Sequence, residues 1–223
     1  MINVAIDGPA GAGKSSIAKA VARDTGYIYT DTGALYRAVA YHALSRNISP
    51  DDSKAVTELL DGLEIKLEYR DGQQRVIADG KDVSDFIRTP EVSMGASKVS
   101  AVPEVRAFLF DLQKKMAAEN NVIMDGRDIG TVVLPDAQLK IFLTASAEER
   151  ARRRFAELNN KEGISFESIL ADIIKRDEND MNRPVSPLKQ AEDAVLVDTT
   201  EMTIDEVITL IKKMIKETEE KEK

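Results

Sequence analysis

The sequence predicts a parallel, doubly wound α/β fold, and three observations carry that prediction. Short apolar runs at residues 2–6, 27–29, 122–125, 139–143 and 194–197 alternate with segments of helical spacing. The first run leads through Gly8-Pro9-Ala10-Gly11-Ala12-Gly13-Lys14-Ser15-Ser16 directly into a helical pattern at Ile17, Ala18, Ala20 and Val21. Only residues 63–69 break the rhythm, with a strict period of two that marks a small antiparallel insert over about residues 63–88. The 223 residues suffice for one domain, 1–223, carrying such an insert.

Each element has a local reason. Residues 2–6 form the first buried strand, and the helix after the glycine loop runs to about Asp24, stopped by Gly26. A second strand at 27–29 is broken by Asp31-Thr32-Gly33, and 34–44 has helical spacing. Ser49-Pro50-Asp51-Asp52 reads as an N-cap with proline in the first turn, opening a helix to about Leu60. Within the insert, Asp71-Gly72 and Asp79-Gly80 flank a strand at 75–78 as hairpin turns. Thr89-Pro90-Glu91 and Pro103-Glu104 open two further helices, the second ending near Glu119. Strands follow at 122–125 and 139–143, and Ser146-Ala147-Glu148-Glu149 reads as a capping box before an arginine-rich helix. After a polar break at 159–163, Ser165 opens a helix through about Met181, and 182–192 is loop. The last strand is 194–197, Thr203-Ile204-Asp205-Glu206 caps a final amphipathic helix, and the charged tail beyond Thr218 is expected to fray.

Composition narrows the function. There is no cysteine and a single histidine, His42, which excludes disulfides, thiolate metal sites and a histidine-built metal centre. No apolar run approaches the ~20 residues of a membrane span, and the chain enters a strand at once. A cytoplasmic monomer with no membrane and no nucleic-acid partner is expected. The net charge of −8 supports the last point, because nucleic acids call for a surplus of lysine and arginine. Arginines nonetheless gather at Arg37, Arg106, Arg127, Arg150, Arg152, Arg153, Arg154, Arg176 and Arg183, a pattern that fits a small polyanion held in a cleft.

The glycine loop matches G-x-x-x-x-G-K-[ST] at Gly8, Gly13, Lys14 and Ser15, between a strand and a helix. Glycines allow backbone N–H groups to converge on phosphate oxygens, and the helix N-terminus adds its positive dipole end. Lys14 would reach the β- and γ-phosphates of a nucleoside triphosphate, and the Ser15 hydroxyl would help hold Mg²⁺. The competing dinucleotide pattern fails because Gly11-Ala12-Gly13-Lys14-Ser15-Ser16 ends in serine. A second metal-supporting acid belongs at a strand end; Asp125 fits, and Asp7 competes with it.

Other constellations cluster where this fold binds ligands, past the carboxyl ends of strands. Asp125-Gly126-Arg127-Asp128-Ile129-Gly130-Thr131 follows a buried strand, and Thr32, Tyr36 and Arg37 follow another. In the helix from Ser165, the apolar stripe Phe166, Ile169, Leu170, Ile173 and Ile174 continues into Arg176, Asp180 and Arg183. Charges on a face that should be buried must meet a partner there, either a ligand or each other, as Arg176 with Asp180. Glu148 with Arg152 and Glu149 with Arg153 are i, i+4 pairs of a solvated face, yet residues 150–183 also read as a helical lid that brings arginines onto phosphates. Arg150 and Arg154 are its catalytic candidates.

Taken together, these stretches resemble the cytidylate kinases, nucleoside monophosphate kinases built on a P-loop core, over essentially the full length. The resemblance rests on the loop from Ile6-Asp7-Gly8 to Ser16, Asp31-Thr32-Gly33-Ala34-Leu35-Tyr36-Arg37, Asp125 through Thr131-Val132-Val133, and Arg176-Asp177 through Asn182-Arg183-Pro184. It implies a P-loop NTPase three-layer core, a five-stranded parallel sheet, an antiparallel insert on the monophosphate-binding side and a helical lid. It also implies Mg²⁺-dependent transfer of the ATP γ-phosphoryl group to CMP or dCMP. By that resemblance Arg37, Arg127 and Arg183 hold the acceptor phosphate, Arg176 and Asp180 the sugar, and Ser97, Arg106 and Asp128 the cytosine. Thr32 keeps the hydroxyl that some relatives carry on serine. Kinases for UMP or shikimate are the nearest alternatives. A switch GTPase would need a guanine-reading Asn-Lys-x-Asp, which Asn160-Lys161-Glu162-Gly163 does not complete.

Overall fold

The computed structural model describes residues 1–70, 73–158 and 165–222. The Asp71-Gly72 turn and the polar break at 159–163 lie outside the described residues. The chain divides into two compact units, Met1–Tyr29 with Asn120–Lys223, and Thr30–Glu119.

The first unit is built on a five-stranded parallel sheet in the order β2-β6-β1-β7-β8. Its strands are β1 (Asn3–Asp7), β2 (Ile28–Asp31), β6 (Val122–Gly126), β7 (Leu139–Thr144) and β8 (Val195–Asp198). β1 lies at the centre, paired with β6 from Asn3 opposite Val122 to Asp7 opposite Gly126, and with β7 from Val4 opposite Leu139 to Asp7 opposite Phe142. Asp7 therefore ends the central strand with a neighbour on either side, at the sheet edge where ligands bind in this architecture. Two helices, α1 (Lys14–Thr25) and α8 (Ile204–Lys221), cover the sheet. Their Ile17, Val21, Val207, Ile211 and Ile215 join Val4, Ile6, Ile123, Ile141 and Leu143 in one core. A helical pair, α6 (Ala147–Glu157) and α7 (Phe166–Asn182), has its own small core of Ala151, Ile169 and Ile173.

The second unit holds α2 (Thr32–Ser45), α3 (Ser53–Leu59), α4 (Pro90–Val99) and α5 (Pro103–Glu119). With them is a three-stranded antiparallel sheet of β3 (Ile65–Arg70), β4 (Gln73–Ala78) and β5 (Lys81–Asp82). Its core runs through Leu35, Val39, Val56, Val76, Ile87, Val99 and Leu109. The β4–β5 turn places Asp79 and Gly80 at φ +48° and +74°, the left-handed pair that a tight hairpin requires. No helix among the described residues is long and apolar enough to cross a membrane.

Most boundaries fall within a residue or two of expectation, and four local readings change. Asp31-Thr32-Gly33 does not break the chain: Asp31 ends β2 and caps α2, its side chain accepting from the Ala34 N–H, so the helix begins at Thr32. The N-cap of α3 is Asp52, accepting from the Ala55 N–H, and Ser49-Pro50 lies before it in a turn. The capping box at Ser146 is only half made. Its hydroxyl accepts from Glu149 N–H, but the Glu149 carboxylate is drawn off by Arg152 and Arg153, and the Ser146 N–H finds Thr200 Oγ1 instead. The tail does not fray at Thr218. α8 continues to Lys221, and Glu219 accepts from the Tyr27 hydroxyl at 2.8 Å, with a complete capping box at Thr203 and Glu206 starting the helix.

Candidate active site

The loop between β1 and α1 has the backbone of an anion cradle. Gly8, Gly11 and Gly13 take φ of +146°, +75° and +85°, and at Gly8 a Cβ would lie 1.9 Å from the Leu143 carbonyl oxygen on β7. The loop thus crosses the sheet end at a distance that only glycine allows. Lys14 opens α1 and is buried, with its Nζ donating to the Gly8 and Pro9 carbonyls at 2.7 and 2.6 Å. Burial, seconded by the nearby Arg127 charge, pulls its pKa well below the ordinary value, while Asp125, Asp7 and Asp180 oppose the fall. A cation held this way gains by meeting a phosphate.

At the foot of the loop the Ser15 hydroxyl donates to Asp125 Oδ2 at 2.7 Å. Two hard oxygen donors therefore meet beside the cradle. Among the described residues no cluster of three or more His, Cys, Asp or Glu could hold a metal, so an ion here would complete its shell from phosphate and water. That donor set fits Mg²⁺, which keeps most of its waters and accepts one or two protein oxygens. The competing acid, Asp7, is fully used: its two oxygens accept the Ile129 and Gly130 N–H groups at 2.8 and 2.7 Å. It fastens the turn after β6 to the central strand. Burial raises its pKa from 3.8 to about 6, against the lowering pull of those two N–H groups.

That turn presents Arg127 and Asp128, and α7 supplies partners for both arginine and acid. Arg127 Nε meets Asp180 Oδ2 at 2.7 Å, and Arg183 Nη2 meets Asp128 Oδ1 at 3.3 Å. Burial lifts the Asp180 carboxyl, but Arg127, then Arg176 and Arg183, outweigh it and hold the group below its ordinary range. The alternative of Asp180 pairing chiefly with Arg176 inside the helix gives way to this cross-element pair. On α6, Arg150 is buried; its guanidinium donates to Ala10 O and Ala145 O at 2.8 and 2.9 Å and pairs with Asp177 at 2.7 Å. Arg154 is exposed and pairs with Glu157.

The second unit gathers its own set at the start of α2. Asp31 Oδ2 accepts from Arg37 and Arg88 at 2.8 and 3.1 Å, while Gln74 of β4 bonds both the Asp31 N–H and its carbonyl. Burial pushes the Asp31 carboxyl up, but Arg37 and then Arg88 overcome this and leave it below the ordinary value. Arg37 keeps a buried Nε without a hydrogen-bond partner. Further along, Arg106 lies over the Tyr36 ring at 5.5 Å and donates to the Ser100 carbonyl, whose own hydroxyl donates to Ser97 O. Arg106, Tyr36, Ser97 and Thr32 are all buried.

A phosphate cradle, a Ser–Asp pair at its foot and arginines fixed by buried carboxylates are a phosphotransferase arrangement. A family model described as cytidylate kinase matches residues 4–217. The chain belongs to the cytidylate kinase family. Cytidylate kinases of Caldicellulosiruptor bescii and Carboxydothermus hydrogenoformans are similar to it. The first is 55% identical over 208 residues, 93% of this chain and 92% of that protein. The second is 50% identical over 215 residues, 96% and 97% of the two chains. A solved structure of an uncharacterized protein from Eubacterium ventriosum shares the fold, with a TM-score of 0.56 over 97% of this chain and 99% of that one, at 12% identity.

For a member of this family, the first unit brings together Gly8 through Ser16, Asp125, Arg127, Asp128, Asp180 and Arg183 by direct contacts or chain adjacency. The second brings Arg37 to Asp31, and Arg106 to Tyr36. Three residues in these networks were not singled out from the sequence: Asp31, Arg88 and Asp177. Asp31 was visible as an N-cap three residues before the Ala34 amide it accepts from. Asp177 follows Ile169 and Ile173 at four-residue steps along the buried face, a signal that the stripe itself carried. Arg88 sits in an irregular stretch with no pattern to mark it.

Proposed function

We propose that the protein transfers the γ-phosphoryl group of ATP to CMP or dCMP, giving ADP and CDP or dCDP. The observation that carries this reading is the match to cytidylate kinases through residues 4–217, with the buried arginine–carboxylate pairs intact. Identities of 50–55% to cytidylate kinases leave a UMP or shikimate kinase unfavoured.

In this reading, N–H groups of the glycine loop bind the ATP phosphates, and Lys14 exchanges its two carbonyl partners for phosphate oxygens. Ser15 and Asp125 hold Mg²⁺, which neutralises charge on the phosphates when bound. The acceptor oxygen already belongs to a phosphate anion, so no general base is required. Catalysis is positioning and charge neutralisation. Arg127 and Arg183, from the first unit, are ligands of the acceptor phosphate, each aimed by a buried aspartate; Arg37 of the second unit is a third, aimed by Asp31. Arg176 and Asp180 take the sugar hydroxyls. Asp128 accepts from the cytosine N4 amino group, and Arg106 and Ser97 donate to its O2 and N3 acceptors. Arg154, exposed on α6, is the lid arginine offered to the transferring group.

Uracil would turn its O4 toward the Asp128 carboxylate, setting two acceptors face to face at a cost of about 1–3 kcal/mol. Turnover with CMP, dCMP, UMP and shikimate at fixed ATP tests the assignment. CMP and dCMP should exceed UMP by roughly 5- to 150-fold in kcat/KM, from the same energy range. Equal or better use of UMP would overturn the cytosine reading.

A further inference from the structure

The Ala10 peptide, at the tip of the glycine loop, is held on both sides by one ion pair. Its carbonyl accepts from Arg150 Nη1 at 2.8 Å, and its N–H faces Asp177 Oδ1 at 3.4 Å. The two side chains are joined to each other through Arg150 Nη2 and Asp177 Oδ2 at 2.7 Å, and Arg150 Nε is tied to the Ala145 carbonyl just before α6. Arg150 is 5% exposed and Asp177 9%. A Cβ built on Gly11 would stand 3.4 Å from Arg150 Cβ, so α6 packs on the loop itself. Arg150 and Asp177 come from the two helices that share the Ala151, Ile169 and Ile173 core.

Each of the three guanidinium nitrogens of Arg150 is already engaged. To meet a phosphate it would have to leave a buried carboxylate and a buried carbonyl unpaired, which is costly. A different role fits what it touches. We propose that Arg150 and Asp177 are a positioning pair, which fixes the Ala10 peptide with its carbonyl turned toward α6. The loop is thereby held open for a triphosphate only while α6 and α7 are packed together. ATP affinity and the packing of this helical pair are then linked, and by thermodynamic reciprocity each strengthens the other. The inference rests on the reading of the loop as the ATP site.

The test uses Asp177→Asn and Arg150→Lys in the full chain. Affinity for a non-hydrolysable ATP analogue with Mg²⁺ is measured by direct titration, alongside kcat and both KM values. The amide keeps the shape of Asp177 but loses the charge that holds Arg150. Lysine keeps the charge of Arg150 but cannot span the Ala145 and Ala10 carbonyls and Asp177 together. Both variants should bind the analogue about tenfold more weakly, with KM for CMP within about twofold of the parent and kcat reduced less than KM for ATP is raised. Should Asp177→Asn fail to fold, Arg150→Lys alone carries the comparison. Unchanged analogue affinity would overturn the pairing role. So would a hundredfold fall in kcat with KM for ATP kept, which would return Arg150 to the catalytic set. A parent protein that does not bind the analogue at all would instead refute the ATP site on which the inference rests.

Discussion

Asp7 makes a prediction whose sign runs against the usual behaviour of carboxylates. Its pKa rises from 3.8 to about 6, chiefly because the group is buried at the end of the central strand. Between those values the folded protein binds a proton at Asp7 that the unfolded chain does not. Stability from this group is therefore greatest at low pH and is lost as pH rises toward 6. The gap of about two pH units corresponds to roughly 3 kcal/mol at 1.36 kcal/mol each. The same carboxylate accepts two backbone N–H groups at 2.8 and 2.7 Å, so the charge that costs stability also fastens the turn carrying Arg127 and Asp128.

Asp7→Asn separates the two effects. An amide has one acceptor oxygen, so the Ile129 or the Gly130 N–H loses its partner at about 1–3 kcal/mol, independent of pH. The raised carboxyl is gone, and with it the pH-dependent cost. Urea unfolding of parent and variant from pH 4 to 7.5 should show the stability of the variant, relative to the parent, improving by roughly 3 kcal/mol across the range. Taking the difference matters. Asp31 and Asp180 lie below their ordinary values and lose stability as pH falls, and both are common to the two proteins. Activity is the poorer assay, because a phosphate monoester titrates near 6 itself. A difference between parent and variant that does not move with pH would refute the reasoning.

Two further substitutions test the cradle and the acceptor side. Gly8→Ala puts a Cβ 1.9 Å from the Leu143 carbonyl oxygen at φ +146°, so strand end or loop must move. The expected loss is on the order of 3–5 kcal/mol in urea unfolding, and ATP-analogue binding goes with it; a loss under about 1 kcal/mol would mean that the loop relaxes freely. Arg183→Ala removes the partner of buried Asp128 and a proposed phosphate ligand, and KM for CMP should rise roughly 10- to 100-fold while KM for ATP stays within about twofold. Unchanged CMP kinetics in a folded variant would reject the role.

Much of the fold was legible because the sequence repeats its message at several levels. The first strand, the glycine loop, the Gly26 stop with φ +76° and the Thr203 capping box are each set by local chemistry, and they stand where the residues put them. The misreadings share a cause: one residue had two partners to choose between. Glu149 could have closed a capping box, but two arginines on its own helix face compete for the carboxylate. Ser49 and Asp52 both offered a cap to α3, and the nearer acid took it. Local rules name the candidates, and the competition is decided by what else each group can reach.

The site was legible in a different way, through charges placed where apolar residues belong. Along α7 the buried positions run Ile169, Ile173, Asp177, Asp180, and the sequence shows this as a stripe that changes character without changing face. What periodicity cannot supply is the partner, because Arg127, Arg150 and the Ala10 peptide come from elements 27 to 167 residues away from the α7 acids they meet. The burial argument alone allows Asp180 to pair with Arg176 one turn earlier, and geometry gives it to Arg127 instead. The consequence reaches function. An arginine that leans on a neighbour in its own helix is fixed only as well as that helix. Arg127 is fixed between β6 and α7, so any displacement of α7 displaces the guanidinium that is proposed to meet the acceptor phosphate.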